Sequence, residues 1–525
     1  MTLQPKLKSK LVAWVLVGIV LGSVSLSLRW VFLVPIFQSP DEDVHFDYAL
    51  CLNELHRLIR ASSTEVGEVP NWTIHPYVEH LSNVTDKCEV TFHPDRPMPT
   101  GYGTKDFYRN VDRTAPPVTR DRCKTRAPAL AAVYPYGYYL LLAGWLDIVR
   151  LVVRDRPVAI FFGARIFSVL LLLGNLLLCY GVAREMRLRR SFALLLTACI
   201  GFFPLTSFVS SYVQPDNLAW TLVTLSYFLS FRLKRDPNNK TIQTILGLAL
   251  GFLLVTKLQF YVCVALPVFA MVAVERIRPN WKGWHDSARV ALRLLLPSLL
   301  FELIHVWVVS GTRSCYTGAA PYTNFNQFVI GGFSNAIWDY FVLNTHLSFW
   351  AIFGWMDTHI QFRNGLWTQR VMFVLQVCAW IFLALTLVRL EQVASRLTRV
   401  ARKGRKLLAL RMALSNVPLN SYFFFTVFMI ALYVYYQNRF GAQGRNWIPF
   451  LLPIFFTSAF YAPKALTMQV ARRLCRWGVI LGLLTYCAIG GYYSIKTLKN
   501  RYYAHRAPSI SKLAVQTRSV AARTE

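Results

Sequence analysis

The chain has 525 residues, 54% of them hydrophobic and only 16% charged, which excludes an ordinary soluble protein of this length and predicts several membrane crossings. A formal charge of +31 raises nucleic acid as a partner. The lysines and arginines, however, fall in short blocks between apolar stretches, where they set topology and meet anionic lipid headgroups, so that partner is set aside.

The first apolar run, about residues 11–37, follows the basic start "KLKSK". It is too long for a cleaved leader and has no small-residue cleavage site, so it reads as a retained signal anchor with a cytoplasmic N-terminus (residues 1–37). Residues 38–157 then form a polar outer loop rich in proline and aspartate, carrying the glycosylation-like triplets "NWT" at Asn71 and "NVT" at Asn83. Within it, residues 129–149 are apolar, but an extra crossing there would put every later basic block on the wrong side. Their Pro135 and run of tyrosines predict a helix lying along the outer surface; if it spans, the number of crossings becomes twelve.

The blocks "AREMRLRR" (183–190), "RLKRD" (232–236), "ERIRPNWKGWH" (275–285), "SRLTRVARKGRK" (395–406) and "ARRLCRW" (471–477) are expected to face the cytoplasm. They pair the remaining apolar stretches into excursions out and back, at 158–182, 191–211, 215–233, 240–257, 258–276, 289–310, 368–390, 417–437, 446–464 and 475–496. With the first run these make about eleven transmembrane helices in an all-α polytopic protein. Residues 158–310 hold helices 2–7, residues 311–367 a second outer loop, residues 368–496 helices 8–11. The basic tail, 497–525, then falls outside, against the positive-inside trend.

Four of the ten cysteines, Cys51, Cys88, Cys123 and Cys315, fall outside, where oxidation is allowed; Cys88 with Cys123 is the first pair to test, and the other six read as buried packing residues. There is no internal repeat and no zinc-type ligand spacing. The histidines His56, His75, His80 and His93 read as solvated surface residues.

Unusual polar residues collect at the outer ends of the spans. Asp41, Glu42, Asp43 and His45 in "QSPDEDVHF" are joined by Arg165, by Asp216 in "SSYVQPDN", and by Lys257 in "TKLQFY". Further on come Trp355, Asp357 and His359 in "FGWMDTHIQFR", then Arg439, Gln443 and Arg445 in "QNRFGAQGRNWIP". Ionisable groups at membrane depth are costly and mark substrate paths, so this gathering carries the functional reading. Each member has a plainer one. "SPDE" is a good helix start, with Ser39 as cap, Pro40 in the first turn and Glu42 closing a capping box. Asp41 and His45 are four apart and Glu42 and His45 three apart, so a helix would present a carboxylate beside an imidazole. "QPDN" is a common turn, Lys257 can snorkel, and "GAQGRNWIP" can be a turn with a surface arginine.

The order "SPDEDVHF", "YPYGYYLLL", "QPDN", a lysine at a later span start, "FGWMDT" and "QGRNWIP" over about residues 30–460 resembles a bacterial family of polytopic membrane proteins of unknown function, domain-of-unknown-function family 2142. Where that pattern has tyrosine after Gly-Arg, this chain has Asn446. The family is similar in plan to the GT-C glycosyltransferases, including the protein mannosyltransferases and the lipid A aminoarabinose transferases. That resemblance implies a membrane glycosyltransferase using a polyprenyl-phosphate sugar donor, with juxtamembrane helices in the first outer loop and a glycan, lipid or protein acceptor at the extracytoplasmic face of the bacterial inner membrane. It implies Asp41 as general base with Glu42 and His45 beside it, and Arg165, Lys257, Arg439 and Arg445 as a phosphate clamp. Asp216 and Asp357 would hold sugar hydroxyls, Gln443 would belong to the substrate-binding lip, and Trp355 would stack on the ring. The spacing neither requires nor defines a metal; in enzymes of this plan that use a divalent ion, Asp41, Asp216 and Asp357 would hold it. Two other classes fit part of the pattern, a lipid or glycolipid transporter and a noncatalytic envelope assembly protein. Neither accounts for acids and cations gathered at outer span ends without related halves.

Overall fold

The computed structural model describes residues 5–56, 75–93, 95–116, 135–276, 281–309, 406–414, 416–436 and 444–503, with short pieces between 349 and 402. The described chain is helical apart from a two-residue antiparallel ladder, Ile352–Phe353 (β1) with Thr358–His359 (β2). In chain order the helices are α1 (Pro5–Leu33), α2 (Glu42–Leu55), α3 (Pro76–Val84), α4 (Lys87–Val90), α5 (Lys105–Arg113), α6 (Gly137–Val153), α7 (Pro157–Glu185), α8 (Arg190–Gly201) and α9 (Pro204–Val209). They continue as α10 (Asp216–Arg235), α11 (Lys240–Leu254), α12 (Leu258–Arg276), α13 (Trp281–Val309), α14 (Lys406–Leu414), α15 (Val417–Tyr436), α16 (Leu451–Phe456) and α17 (Gln469–Tyr502).

Four described segments, Lys10–Leu33, Pro157–Glu185, Arg445–Ala465 and Gln469–Tyr502, are each long and apolar enough to cross a bilayer, and shorter apolar helices accompany them. This is an all-α membrane protein. The expected span at 368–390 lies outside the described residues. The span expected over 191–211 is instead two helices, because Pro204 supplies no N–H and turns Phe203 out of helical geometry. Residues 446–464 are likewise not one regular helix. Pro449, Pro453 and Pro463 divide them into a 3-10 turn, α16, a π turn and a second 3-10 turn.

Packing follows the helical period. On α7 the buried positions include Arg165, Ser168, Val169, Leu172, Asn175, Leu176 and Cys179, while Leu170 and Leu177 on the far side are 44% and 48% exposed. A face that is apolar and uncovered is what lipid requires. The buried face meets α1 and α10; α10 also packs on α11, and α11 on α13. The last contact is backbone-close, since a Cβ added at Gly247 would come within 2.8 Å of the Arg293 carbonyl and one at Gly251 within 2.9 Å of the Pro297 carbonyl carbon. The small-xxx-small pair is what lets these helices approach. Within α10, Thr224, Ser226 and Ser230 bond back to the carbonyls of Trp220, Leu222 and Ser226, so a polar sequence keeps its hydroxyls satisfied in an apolar setting.

The helix ends sort into two sides. Glu185 is ion-paired with Arg232 at 3.1 Å and Arg235 at 2.7 Å, holding the C-terminal ends of α7 and α10 together. At the opposite side, the end of α17 closes on the chain's beginning. Tyr503 donates to the Leu33 carbonyl at 3.1 Å, Arg501 donates to the Val90 carbonyl at 2.8 Å, and the Met98 N–H donates to the Tyr502 carbonyl at 3.1 Å. The helix that leads into the basic tail therefore ends beside the segment read as an outer loop.

Beneath that side lies a fully buried ion pair. Arg165, 0% exposed, donates to Glu42 Oε1 at 2.8 Å and Oε2 at 2.6 Å, and to the carbonyls of Val31 at 2.7 Å, Val34 at 2.5 Å and Pro35 at 2.9 Å. The Val213 N–H adds a bond to Glu42 at 3.1 Å. All five guanidinium N–H groups are thereby occupied, three of them on carbonyls in and just after the last turn of α1. Lysine has three donors and no planar fork, so Arg165→Lys should destabilise the protein by about 3–5 kcal/mol, as breaking a buried pair does; a shift of less than 2 °C in thermal unfolding of the purified variant would contradict this. In a second test, single cysteines at Lys234 and Tyr503 should label from opposite faces, Lys234 from the cytoplasm; labelling of both from one side would break the threading.

Candidate functional site

The stretch "QSPDEDVHF" leaves α1 through two left-handed residues, Phe37 (φ 59) and Asp41 (φ 58). Such backbone is tolerable for aspartate and unusual for phenylalanine, and it persists only where surroundings dictate it. The surroundings are the Arg165 bonds to the carbonyls just before and the Glu42 carboxylate just after. The expected capping box does not form. α2 begins at Glu42, with Asp41 as its cap residue and no side-chain capping bond, because Glu42 turns away to Arg165. Glu42 and Arg165 thus answer each other, and neither has a group left to face a ligand; their part in the site is to fix where Asp41 stands.

Asp41 projects the other way and accepts from Arg445 Nη2 at 3.0 Å. Arg445 is delivered by the 3-10 turn Gly444–Phe450, whose neighbours Trp447 and Phe450 pack on Phe425 of α15. One turn along α2, His45 is 4% exposed and hydrogen-bonds Tyr139 through Nδ1 at 2.7 Å. From the opposite wall come Asp216, in the first turn of α10 where the helix dipole favours an acid, and Lys257 between α11 and α12, which are paired directly. Lys257 and Asp216 are also within electrostatic reach of His45, and Asp216 and the Tyr212 hydroxyl lie near Arg445. Five of the expected positions, Asp41, His45, Asp216, Lys257 and Arg445, come together. Trp355, Asp357, Arg439 and Gln443 lie outside the described residues.

The charges are matched rather than loose. Burial pushes the Asp41 carboxyl up, but Arg445 above all, with lesser contributions from His45 and Lys257, holds it below the ordinary value of 3.8, so it is ionised at neutral pH. Burial lowers His45 to about 4, with Arg445 and Lys257 adding to the effect against Asp41 and Asp216. The imidazole is therefore neutral at pH 7, and its ring is a hydrogen-bonding group in the resting site. Among the described residues, no set of three or more His, Cys, Asp or Glu side chains converges as metal ligands.

Around this charged centre the wall is polar and incompletely bonded. Ser39 Oγ, Gln38 Oε1, Asp43 Oδ1, Ser207 Oγ, Ser210 Oγ, Gln214 Oε1 and Asn217 Oδ1 are buried with no hydrogen-bond partner among the described residues. Each such atom costs about 1–3 kcal/mol unless something meets it. They fall in the two stretches, 38–43 and 207–217, that flank the Asp41 and Asp216 pairs.

The sequence reading missed the tyrosines. Tyr138 and Tyr139 were expected at a lipid interface, yet both are 0% exposed: Tyr138 accepts from the Gln214 N–H at 3.1 Å and Tyr139 holds His45. Only the other face of α6 is uncovered. The Gly137 N–H donates to the Val255 carbonyl at 2.7 Å, which anchors the start of α6 two residues from Lys257. His75, expected on the surface, is also buried, bonded to Glu54 at 3.0 Å. Cys88 is exposed, while Cys123, its expected partner, and Asn71 lie outside the described residues.

Because folded His45 stays neutral to about pH 4 and the unfolded imidazole protonates near its ordinary 6.5, the unfolded state binds more protons between those values. Stability contributed by this site is full above about pH 6.5 and is lost as pH falls toward 4. His45→Gln should flatten that slope, removing up to about 3 kcal/mol of pH dependence; parallel unfolding curves for variant and parent across pH 7 to 4 would refute a buried neutral imidazole.

A search of curated proteins finds no match for the chain. A family model described as "Predicted membrane protein (DUF2142)" matches residues 25–457, a span that runs from the middle of α1 through the Arg445 turn and includes every residue of the charged cluster. The chain belongs to this family of membrane proteins of unknown function, DUF2142.

Proposed function

We propose that the protein is a membrane glycosyltransferase of GT-C-like plan that moves a sugar from a polyprenyl-phosphate donor to a hydroxyl acceptor at the outer face of the bacterial inner membrane. The observation that supports this most is the meeting of Asp41, His45, Asp216, Lys257 and Arg445, from four distant parts of the chain, at one end of the bundle. The unbonded serine, glutamine and asparagine atoms beside them suit a sugar.

In this reading Arg445 exchanges the Asp41 carboxylate for the donor phosphate. The move does two things at once: it places a planar, bidentate cation on the leaving group, and it relieves the field that keeps Asp41 weakly basic. Asp41 then takes the proton of the acceptor hydroxyl as the new bond forms between that oxygen and the anomeric carbon. The bond from the anomeric carbon to phosphate oxygen breaks with its electrons staying on the polyprenyl phosphate, where Arg445 and Lys257 stabilise the charge. Asp216, released from Lys257, accepts from sugar hydroxyls. Glu42 and Arg165 take no part in the chemistry and hold Asp41 in register.

The test is sugar transfer by purified variants from a synthetic polyprenyl-phosphate sugar, normalised to folded protein. Asp41→Asn should lower transfer by about 100-fold to 10,000-fold with donor binding retained, and Arg445→Lys should weaken donor use while preserving charge. Near-normal transfer by Asp41→Asn would remove it as the base. Extraction of lipids from cells lacking the protein should in addition show a polyprenyl-phosphate sugar that accumulates.

A further inference from the structure

A polar cavity lies at the other end of α2 from the Asp41 cluster. From Asp41 to Glu54 the helix climbs about 20 Å at 1.5 Å per residue, so the two places are separate. The cavity, about 480 Å³, opens between the C-terminal ends of α2 and α6 and the end of α5, and it is lined by Asn53, Glu54, Asp112, Asp147, Arg150 and Asp155. That volume lies in the range of small-ligand sites.

Its charge runs opposite to that of the chain. Glu54 is answered by Arg150 at 2.9 Å and by His75 at 3.0 Å. Among the described residues the other three carboxylates have only neutral donors in contact or none: Asp112 accepts from the Val158 N–H at 3.0 Å, Asp147 accepts from the Asn53 amide at 2.7 Å, and Asp155 is exposed. Arg154 stands on the rim, and Arg156 and His80 are within electrostatic reach of Asp112. Asn53 supplies an independent sign of a ligand. It is 2% exposed and lines the cavity; its amide nitrogen serves Ala143 and Asp147, yet its carbonyl oxygen has no partner among the described residues. Around Asp147, Asp155 and Asn53 the wall therefore offers acceptors with no cation bonded to them among the described residues, which suits a cationic donor. The carboxylates do not converge as metal ligands.

The mouth is amphipathic. Across Asp147 and Asp155 the cavity continues into a shallow groove walled by Ile148 and Leu151 of α6, 54% and 84% exposed. These belong to a stripe with Leu140, Leu141 and Val152 on the uncovered face of α6, the face that meets lipid if α6 lies along the bilayer or crosses it. We propose that this cavity and groove bind a membrane amphiphile by a protonated primary amine, the ammonium held among Asp147, Asp155 and the Asn53 carbonyl oxygen and the tail laid along Ile148 and Leu151. The site is distinct from the Asp41 cluster and does not depend on the reaction assigned there.

The experiment uses the full chain in phosphatidylcholine nanodiscs, titrated with hexylamine, hexyl phosphate and hexyl glucoside and read by calorimetry. Hexylamine should bind saturably, with affinity falling at least 10-fold in the Asp147→Asn, Asp155→Asn double variant and falling again at high salt; hexyl phosphate should not bind there. Leu151→Asn should erase the advantage of hexylamine over ethylamine while leaving ethylamine unchanged, a readout that a merely unfolded variant would not give. Hexylamine binding that is equal in parent and double variant overturns the proposal. So does equal, equally sensitive binding of hexyl glucoside, which would make the ligand a neutral hydroxyl head.

Discussion

One guanidinium sets the geometry on which everything else stands. With its five donors occupied, Arg165 fastens carbonyls in and just after the last turn of α1 to the first carboxylate of α2, across 123 residues of sequence. A buried pair of this kind is weak evidence for net stability, since desolvation offsets much of the attraction. Its value here is directional. It stops α1, forces the chain through two left-handed residues, and leaves Asp41 pointing to the side where the 3-10 turn brings Arg445. Moving the pair by one residue would send a different carboxylate into the cluster.

Around that fixed point the charged groups cancel in twos, Asp41 with Arg445 and Asp216 with Lys257. Cancelled charge is what a low-dielectric setting permits. It also means that an arriving anion competes with a carboxylate for each cation, so binding and the basicity of Asp41 are coupled through the same contacts. The neutral imidazole of His45 lies within reach of both pairs and adds no net charge to either.

Much of this was legible in the sequence because membrane proteins expose their costs. Charged residues at span ends are rare enough that Asp41, Asp216, Lys257 and Arg445 could be singled out, and basic blocks ordered the helices around them. What was not legible was direction. Spacing puts Glu42 and Asp41 side by side and cannot say that one faces an arginine of α7 and the other the Arg445 turn. Arg165 reads as one more cation at a span start until its acceptors, three of them backbone carbonyls with no sequence signature, are located. Tyr138 and Tyr139 look like interfacial anchors for the same reason: burial on one face of α6 and exposure on the other is a tertiary fact. Proline did declare itself, but the breaks at Pro204 and Pro449 were read through as continuous spans because the apolar run does not pause there.

The Asp41–Arg445 contact spans 404 residues, and this has a consequence for how the protein is made. At roughly 5–20 residues per second of synthesis, Arg165 reaches the growing chain about 6–25 s after Glu42, whereas Arg445 follows Asp41 by about 20–80 s. The frame that orients Asp41 can therefore be complete inside the membrane long before its partner exists, and for that interval the acid stands alone. A chain broken off by stalled synthesis would keep its shape near α1, α2 and α7 but lack the cation that answers Asp41. Arg501, later still, bonds back to Val90, so the segment around Val90 is latched only after α17 has been inserted. Completion of the site is in this way a late event of biogenesis.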